Sequence, residues 1–316
     1  MARQKSDSFL QLLAPKHWLM WLLIGLIRMT AFFPYSWIVA IGKKVGRLLI
    51  KLGGSRVRIT RRNLELCFPE KSVEERERIL ESNFEALGVS FLESGLAWWG
   101  SDKRILKLAN IEGLELVEQR LAEGKKTIMI GFHFVSLEMS ARLCATKVDF
   151  NALYKPQNNG VFEWVSTRRR GINNMKLIPR KKIKYMLGLL DQGQTILLAP
   201  DQDLGVKRGI FVPFFGIPAA TIPSVSEYAR QTNSEVVYFN FYRNPDYSGF
   251  TLKFSEPLEN FPSGDDYEDT VRINLMVEEA IRAHPDQYLW QHRRFKNRPE
   301  GEEPLYAKSE RKQPKG

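Results

Sequence analysis

Thr127-Ile128-Met129-Ile130-Gly131-Phe132-His133-Phe134-Val135-Ser136-Leu137-Glu138 reads as a hydrophobic strand, a short turn and the start of a helix. The strand ends at Gly131 and Phe132, which puts His133 at its mouth. Ser136 is placed as an N-cap, so Glu138 falls in the first turn of the following helix. In α/β sheets, ligands gather at the carboxyl ends of strands. An imidazole there, with a carboxylate five residues later at a helix N-terminus, can be oriented and have its protonated form stabilised, as general-base catalysis requires. Only three other histidines exist, His17, His284 and His292. The spacing H-x4-E alone is weak, and a satisfied structural histidine competes with it.

Working outward, short β-rich runs alternate with helical ones. The strands are expected at Thr127 to Phe132, Val148 to Tyr154, Met175 to Ile178, Thr195 to Ala199, Val236 to Tyr242 and Phe250 to Phe254. The helices are expected at Ser136 to Thr146, Val161 to Arg170, Lys182 to Leu190 and Ser224 to Gln231, with a last one from about Asp269 to Ala283. This alternation predicts an α/β fold, a sheet covered by helices. Ser72 to Trp99 reads as amphipathic helix, a helical connector within residues 65–110 that leads into an α/β domain over 111–298. The tail, 299–316, is polar and expected to be loose. No G-x-G-x-x-G, Walker A or G-x-S-x-G string occurs, so nucleotide-binding and α/β-hydrolase readings start weak.

The 316 residues carry a net charge of +11, and its location is informative. Residues 1–64 hold twelve Lys and Arg against one acid, Asp7, leaving 35 bases and 35 acids for the rest. A neutral body argues against a nucleic-acid binder, whose charge lies along its reading surface. The charged segment is also apolar. Trp18 to Ile41 is rich in Leu, Ile, Phe and Trp, with Trp and Tyr placed as at a headgroup level. Arg28 divides it into charge-free pieces shorter than the ~18 residues that settle a span. The segment is therefore expected to be an N-terminal membrane helix, spanning or lying in the interface with Arg28 snorkelling. Lys43, Lys44, Arg47, Lys51, Arg56, Arg58, Arg61 and Arg62 follow without an acid, which predicts a cytoplasmic flank attracted to anionic headgroups. A buried core helix with a solvated basic face is the alternative. Cys67 and Cys144 form no C-x-x-C pair, so neither a disulfide framework nor a zinc site is expected, in agreement with a reducing compartment.

Two further strand ends deliver polar groups: Tyr154-Lys155-Pro156 and Ala199-Pro200-Asp201-Gln-Asp203. Between them Arg168, Arg169, Arg170, Lys176, Arg180, Lys181, Lys182 and Lys184 run without an acid. In a neutral body this concentration suggests an anionic substrate or an acidic protein partner. A solvated helix face is the plainer reading.

These motifs together resemble the late acyltransferases of lipid A biosynthesis, the lauroyl/myristoyl family of Gram-negative inner membranes, within the wider H-x4-D/E acyltransferase group. The resemblance runs from His17-Trp-Leu-Met-Trp-Leu through Arg62-Asn63-Leu-Glu-Leu-Cys67-Phe-Pro69-Glu70, Gly131-Phe-His133 to Glu138, Tyr154-Lys155-Pro156, Ala199 to Asp203 and Phe211-Val-Pro213-Phe-Phe215. It ends in Tyr288-Leu-Trp290-Gln-His292-Arg293-Arg294-Phe295-Lys296, and Trp290 to Gly301 is closer to the lauroyl-type branch. The resemblance implies a mixed sheet flanked by helices, of the glycerolipid-acyltransferase kind. It implies transfer of a fatty acyl group from acyl carrier protein to a hydroxyl of a 3-hydroxyacyl chain on an anionic, Kdo-bearing lipid A precursor, at the cytoplasmic face of the inner membrane. His133 would take the hydroxyl proton and Glu138 would hold the imidazole. Lys155 would pair with a phosphate or the developing oxyanion. Arg170 and Arg180 match basic family positions, and their neighbours Arg168 and Arg169 are candidates to receive the acidic carrier protein. Asp201 and Asp203 would fix their loop or orient those cations. No metal or other cofactor is implied. Left open are an acyltransferase acting on another glycolipid or glycerolipid, a non-catalytic membrane-tethered scaffold, and a hydrolase.

Overall fold

A computed structural model describes residues 9–171 and 175–307. The chain opens with a short helix α1 (Phe9–Leu12) and a pair of helices, α2 (Trp18–Thr30) and α3 (Tyr35–Leu52). Pro34 ends the link between the pair, because proline supplies no N–H for a continuing helix. Next come α4 (Ser55–Cys67), the long α5 (Val73–Trp99) and α6 (Asp102–Leu106). A reciprocal cap starts α5: Ser72 Oγ accepts from the Glu75 N–H at 3.2 Å and the Glu75 carboxylate accepts from the Ser72 N–H at 2.7 Å. Helices α3 and α5 touch backbone to backbone. A Cβ on Gly88 would lie 2.2 Å from the Gly42 carbonyl oxygen and 2.5 Å from the Gly46 nitrogen, so only glycine fits that crossing.

The body then alternates strands and helices: β1 (Ala109–Glu112), α7 (Leu114–Ala122), β2 (Thr127–Ile130), α8 (Leu137–Ala145), β3 (Phe150–Tyr154), α9 (Gly160–Gly171), β4 (Met175–Pro179), α10 (Ile183–Asp191) and β5 (Ile196–Leu198). A hairpin of β6 (Ile210–Phe214) and β7 (Ile217–Thr221) follows, then α11 (Ser224–Thr232), β8 (Glu235–Arg243), β9 (Phe250–Pro257) and α12 (Asp266–Ala283). Seven strands form one sheet in the order β1-β9-β8-β2-β5-β3-β4, parallel except where β8 meets β9. It is therefore mixed, and helices cover both faces. Strand β2 is buried throughout and shows why: Ile128 and Ile130 join the core against α10, α11 and α12, while Met129 joins the one against α8 and α9. Each such side chain contributes roughly 1.5–3 kcal/mol by leaving water.

All six expected strands are present. Strand β1 and the β6–β7 hairpin escape the sequence reading, β1 because its four residues alternate only between half-buried and exposed. Of the two expected forms of the N-terminal membrane helix, spanning or interfacial, the spanning one finds no support. Among the described residues no helix is long and apolar enough to cross a membrane. The 13 residues of α2 extend about 20 Å, against a hydrocarbon core of ~30 Å, and α3 carries Lys43, Lys44, Arg47 and Lys51. Pro34 splits the apolar segment, and both halves pack on α5. The expected boundary at residue 64 falls inside α4, and α5 supplies core residues to both faces. Nor is the start of the tail loose. The Tyr306 hydroxyl donates to Asn63 Oδ1 at 2.6 Å and Arg62 Nε donates to the Leu305 carbonyl at 3.0 Å. Residues 308–316 of the tail lie outside the described residues.

Candidate active site

The register between β2 and β5 pairs Ile130 with Leu198. Three residues past each partner stand His133 and Asp201, which therefore meet beyond the strand ends. His133 Nδ1 lies 2.7 Å from Asp201 Oδ1, and the His133 main-chain N–H donates to Asp201 Oδ2 at 3.0 Å. Among the described residues Nε2 has no hydrogen-bond partner, and His133 lines a cleft of about 550 Å³. Burial disfavours the imidazolium, yet the Asp201 charge and hydrogen bond overcome it and hold the His133 pKa above its ordinary value. Burial likewise opposes the Asp201 carboxylate, and His133 more than compensates, so its pKa is lowered.

The turn carrying His133 is clamped by the segment after α12. The Leu289 N–H donates to the His133 carbonyl at 2.9 Å, the Val135 N–H to the Gln287 carbonyl at 2.7 Å, and the Tyr288 hydroxyl to the Asp201 carbonyl at 3.2 Å. Two buried asparagines secure the segment in turn. Asn63 donates to the carbonyls of Trp290 and His292 at 2.7 and 2.8 Å, and Asn83 donates to those of Asp286 and Tyr288, both at 2.8 Å. This strapping explains why Tyr288 to Lys296 accompanies the His133 motif in the sequence.

Lys155, Arg180 and Lys296 line the cleft, as do the apolar side chains of Leu153, Leu197 and Leu204. Lys155 follows β3 and Arg180 follows β4, and those strands pair Tyr154 with Pro179, which brings both cations to one edge. Asp203 also borders the cleft, but its carboxylate is committed to the loop, accepting from the Asn297 N–H at 2.8 Å and the Gly205 N–H at 2.9 Å. The Asp203 N–H donates to His292 Nε2 at 3.2 Å, and burial pushes the His292 pKa down to about 4, so this imidazole acts as a neutral acceptor. The sequence reading placed His292 and Lys296 in a motif without assigning them to the site.

The expected contact between Glu138 and the imidazole is corrected. Glu138 sits in the first turn of α8 as predicted, but it accepts from Trp98 Nε1 at 2.7 Å and from Arg170 Nε at 3.1 Å, and pairs with Arg170 Nη2. Spacing along the chain fixed where Glu138 starts and not which neighbour it meets; α5 and α9 supply a guanidinium and an indole, whereas β5 supplies the carboxylate for His133. Arg170 is thereby committed to Glu138 and does not line the cleft. Arg168 and Arg169 stack on Trp164 and Trp99, at 4.0 and 5.2 Å from the ring centroids, also outside it. Ser136 occupies the N-cap position but makes no side-chain cap.

Its hydroxyl instead enters a sealed cluster unreadable in the sequence. Arg243, at the end of β8, donates from Nε and Nη2 to the two carboxylate oxygens of Glu93 at 2.9 and 2.7 Å, and from Nη2 to Ser136 Oγ at 2.6 Å and Ser90 Oγ at 2.8 Å. The Tyr35 hydroxyl donates to Glu93 Oε1 at 2.8 Å, and the Gln287 amide exchanges two hydrogen bonds with the Arg243 main chain. The cluster ties α3, α5, α8, β8 and the C-terminal strap to a residue three positions from His133.

An α/β sheet with an aspartate-held histidine at its carboxyl edge, beside cations and apolar side chains, can take up a proton next to bound anionic and apolar groups. Comparison with known proteins carries this further. Residues 7–297 match the family model for bacterial lipid A biosynthesis acyltransferases, and the chain belongs to that family. It is 37% identical to the lipid A biosynthesis lauroyltransferase of Escherichia coli K12, over 92% of this chain and 95% of the relative, and 35% identical to the palmitoleoyltransferase of the same strain, over 94% and 97%. The myristoyltransferase of that strain is 29% identical over 94% of this chain and 92% of its own length.

Proposed function

We propose that this acyltransferase moves a fatty acyl group, lauroyl or of similar length, from acyl carrier protein to a hydroxyl of a 3-hydroxyacyl chain on a Kdo-bearing lipid A precursor. The observation that carries the chemistry is His133, held through Nδ1 by Asp201 and left with Nε2 unpartnered at the cleft. The acceptor hydroxyl oxygen attacks the thioester carbonyl carbon as its proton passes to Nε2. The tetrahedral oxyanion collapses, the C–S bond breaks, and the imidazolium returns the proton to the leaving sulfur, so an ester and a thiol result. Asp201 fixes the tautomer with Nδ1 protonated and stabilises the imidazolium. Lys155, Arg180 and Lys296 supply positive charge for the oxyanion and for phosphate or sugar-acid groups of the substrates. Glu138 acts as a positioning residue, holding α8 to α9 through Arg170. The cation-rich edge also suits an acidic carrier protein. The lauroyl and palmitoleoyl names of two relatives support a medium to long chain. The basic N-terminal helices and two buried free thiols, Cys67 and Cys144, support a site at the cytoplasmic face of the inner membrane.

Purified enzyme supplied with acceptor lipid and a mixture of acyl carrier proteins bearing different chains should yield one predominant product mass. His133→Ala, still folded, should lose transfer; full activity in that variant refutes the mechanism, and activity only on another acceptor refutes the lipid A assignment.

A further inference from the structure

A second imidazole borders the cleft that holds His133. His292 lines it together with Lys155, Arg180 and Lys296. It belongs to the C-terminal strap, three residues beyond Leu289, whose N–H donates to the His133 carbonyl at 2.9 Å. The main chain of His292 is held on both sides: its N–H donates to the Leu289 carbonyl at 3.2 Å and its carbonyl accepts from Asn63 Nδ2 at 2.8 Å. A third bond holds the ring, from the Asp203 N–H to Nε2 at 3.2 Å. Asp203 stands two residues past Asp201, and its carboxylate accepts from the Asn297 N–H at 2.8 Å. The loop after β5 and the strap therefore grip this imidazole between them.

These contacts decide where its proton sits. An Nε2 that accepts from a main-chain N–H carries none, so the neutral ring is protonated at Nδ1. Burial pushes the His292 pKa down to about 4; Asp201 opposes this and His133 adds to it, which places His292 in the field of that pair. Among the described residues Nδ1 has no hydrogen-bond partner. Such a ring cannot serve as a second base, because its one lone pair is taken. Nor does a neutral imidazole release its N–H proton near neutral pH. What remains to it is to donate a hydrogen bond to an oxygen in the cleft.

We propose that His292 is a catalytic residue whose Nδ1–H donates to the oxyanion formed on the thioester carbonyl oxygen as the acceptor hydroxyl attacks. The inference rests on the reading of His133 as the base. As the new C–O bond forms, the carbonyl electron pair moves onto that oxygen; it returns when the C–S bond breaks, and His292 keeps its proton throughout. Neutrality selects this oxygen over a phosphate. A phosphate is charged before and after the reaction and suits the cations of the cleft, whereas the carbonyl oxygen becomes anionic only as His133 becomes imidazolium. A cation at His292 would oppose that imidazolium, while a fixed neutral dipole stabilises the oxyanion without doing so.

The plainer role for His292 is to anchor the Asp203 loop through Nε2, and two substitutions separate the roles. His292→Gln keeps an acceptor for the Asp203 N–H and gives up the Nδ1 donor; His292→Asn keeps a donor near Nδ1 and gives up the acceptor. With lauroyl-acyl carrier protein and a Kdo-bearing lipid A precursor, His292→Gln should lower kcat by about 10²–10³, the loss of one oxyanion donor, with KM nearly unchanged. His292→Asn should keep kcat to within about tenfold of the wild type. A wild-type kcat in His292→Gln, equal losses in the two folded variants, or a loss confined to KM would overturn the proposal. Should the variants misfold, 15N NMR of the wild-type histidines serves instead: the His292 ring should stay neutral with its proton on Nδ1 throughout the working pH range, and a proton on Nε2 would overturn the assignment. His133→Ala distinguishes the two levels. If it abolishes transfer while His292→Gln does not, the base stands and this inference fails; if it transfers fully, the reading of the base fails and the inference falls with it.

Discussion

Two acid–base pairs govern the turn that leaves β2, and they are built for opposite ends. Glu93 and Arg243 are both about 1% exposed, and each carboxylate oxygen and the guanidinium are engaged by protein groups. Burial works against the Arg243 charge, but Glu93 more than offsets it and raises the pKa, so the pair stays charged and fixed. His133 and Asp201 are equally short in contact, yet one ring nitrogen remains unpartnered at a cleft, and Asp201 holds the imidazole pKa above its ordinary value against the effect of burial. A completed network can only hold; one left incomplete by a single nitrogen can exchange a proton. The turn carrying the second is held from two directions, by the first pair through Ser136 and by the strap through Gln287 and Leu289.

The sharpest way to break this contrast is Asp201→Asn. It should lower kcat by about 10²–10⁴ with little loss of fold, the range of a general base deprived of its orienting partner. Its pH dependence adds a signature. With neutral His133 as the proposed base and its pKa raised by Asp201, wild-type activity should fall as pH drops through a midpoint above the ordinary ~6.5. Any residual activity of the variant should show a lower midpoint. A midpoint unmoved by the substitution assigns the titration to another group.

Arg243→Met tests the other half. Leaving Glu93 buried without its partner should cost about 3–5 kcal/mol of stability in denaturant melts, and the double variant E93L/R243M should recover much of it. Next in size, Lys155→Met should raise KM by about tenfold and leave kcat nearly unchanged if this exposed cation binds ground state and transition state alike. A loss confined to kcat would place it on the oxyanion instead. The smallest change is expected from Glu138→Gln: a few-fold loss of kcat through a looser α8–α9 contact, with the acid limb of the pH profile unmoved. A shift of that limb would return Glu138 to the imidazole, against the geometry.

These expectations separate what is written locally from what is not. The strand at Thr127, the helix after it, the position of His133 at the strand mouth and the cation run are legible because periodicity and residue type act over a few neighbours. Asp201 was visible as a polar residue after a strand, but its role was not, since it depends on how β2 and β5 align across 68 residues of chain. The basic run read as one feature divides in space: Arg180 faces the cleft, Arg170 pairs with Glu138, and Arg168 and Arg169 lie on tryptophans beside α2. Asn63, Asn83, Glu93 and Arg243 gave no local signal, because a buried polar side chain differs from an exposed one only in its long-range partners.

The sequence by itself determined the α/β class, the family and the candidate base. Tertiary structure alone decided which carboxylate serves that base, which cations share its cleft, and that the apolar N-terminal segment folds into two helices against α5 rather than one long enough to span. The physical reason is the same in each case. Helix and strand formation is set by sterics and burial within a short window, whereas strand register and helix docking are chosen by packing between segments that the order of residues never places side by side.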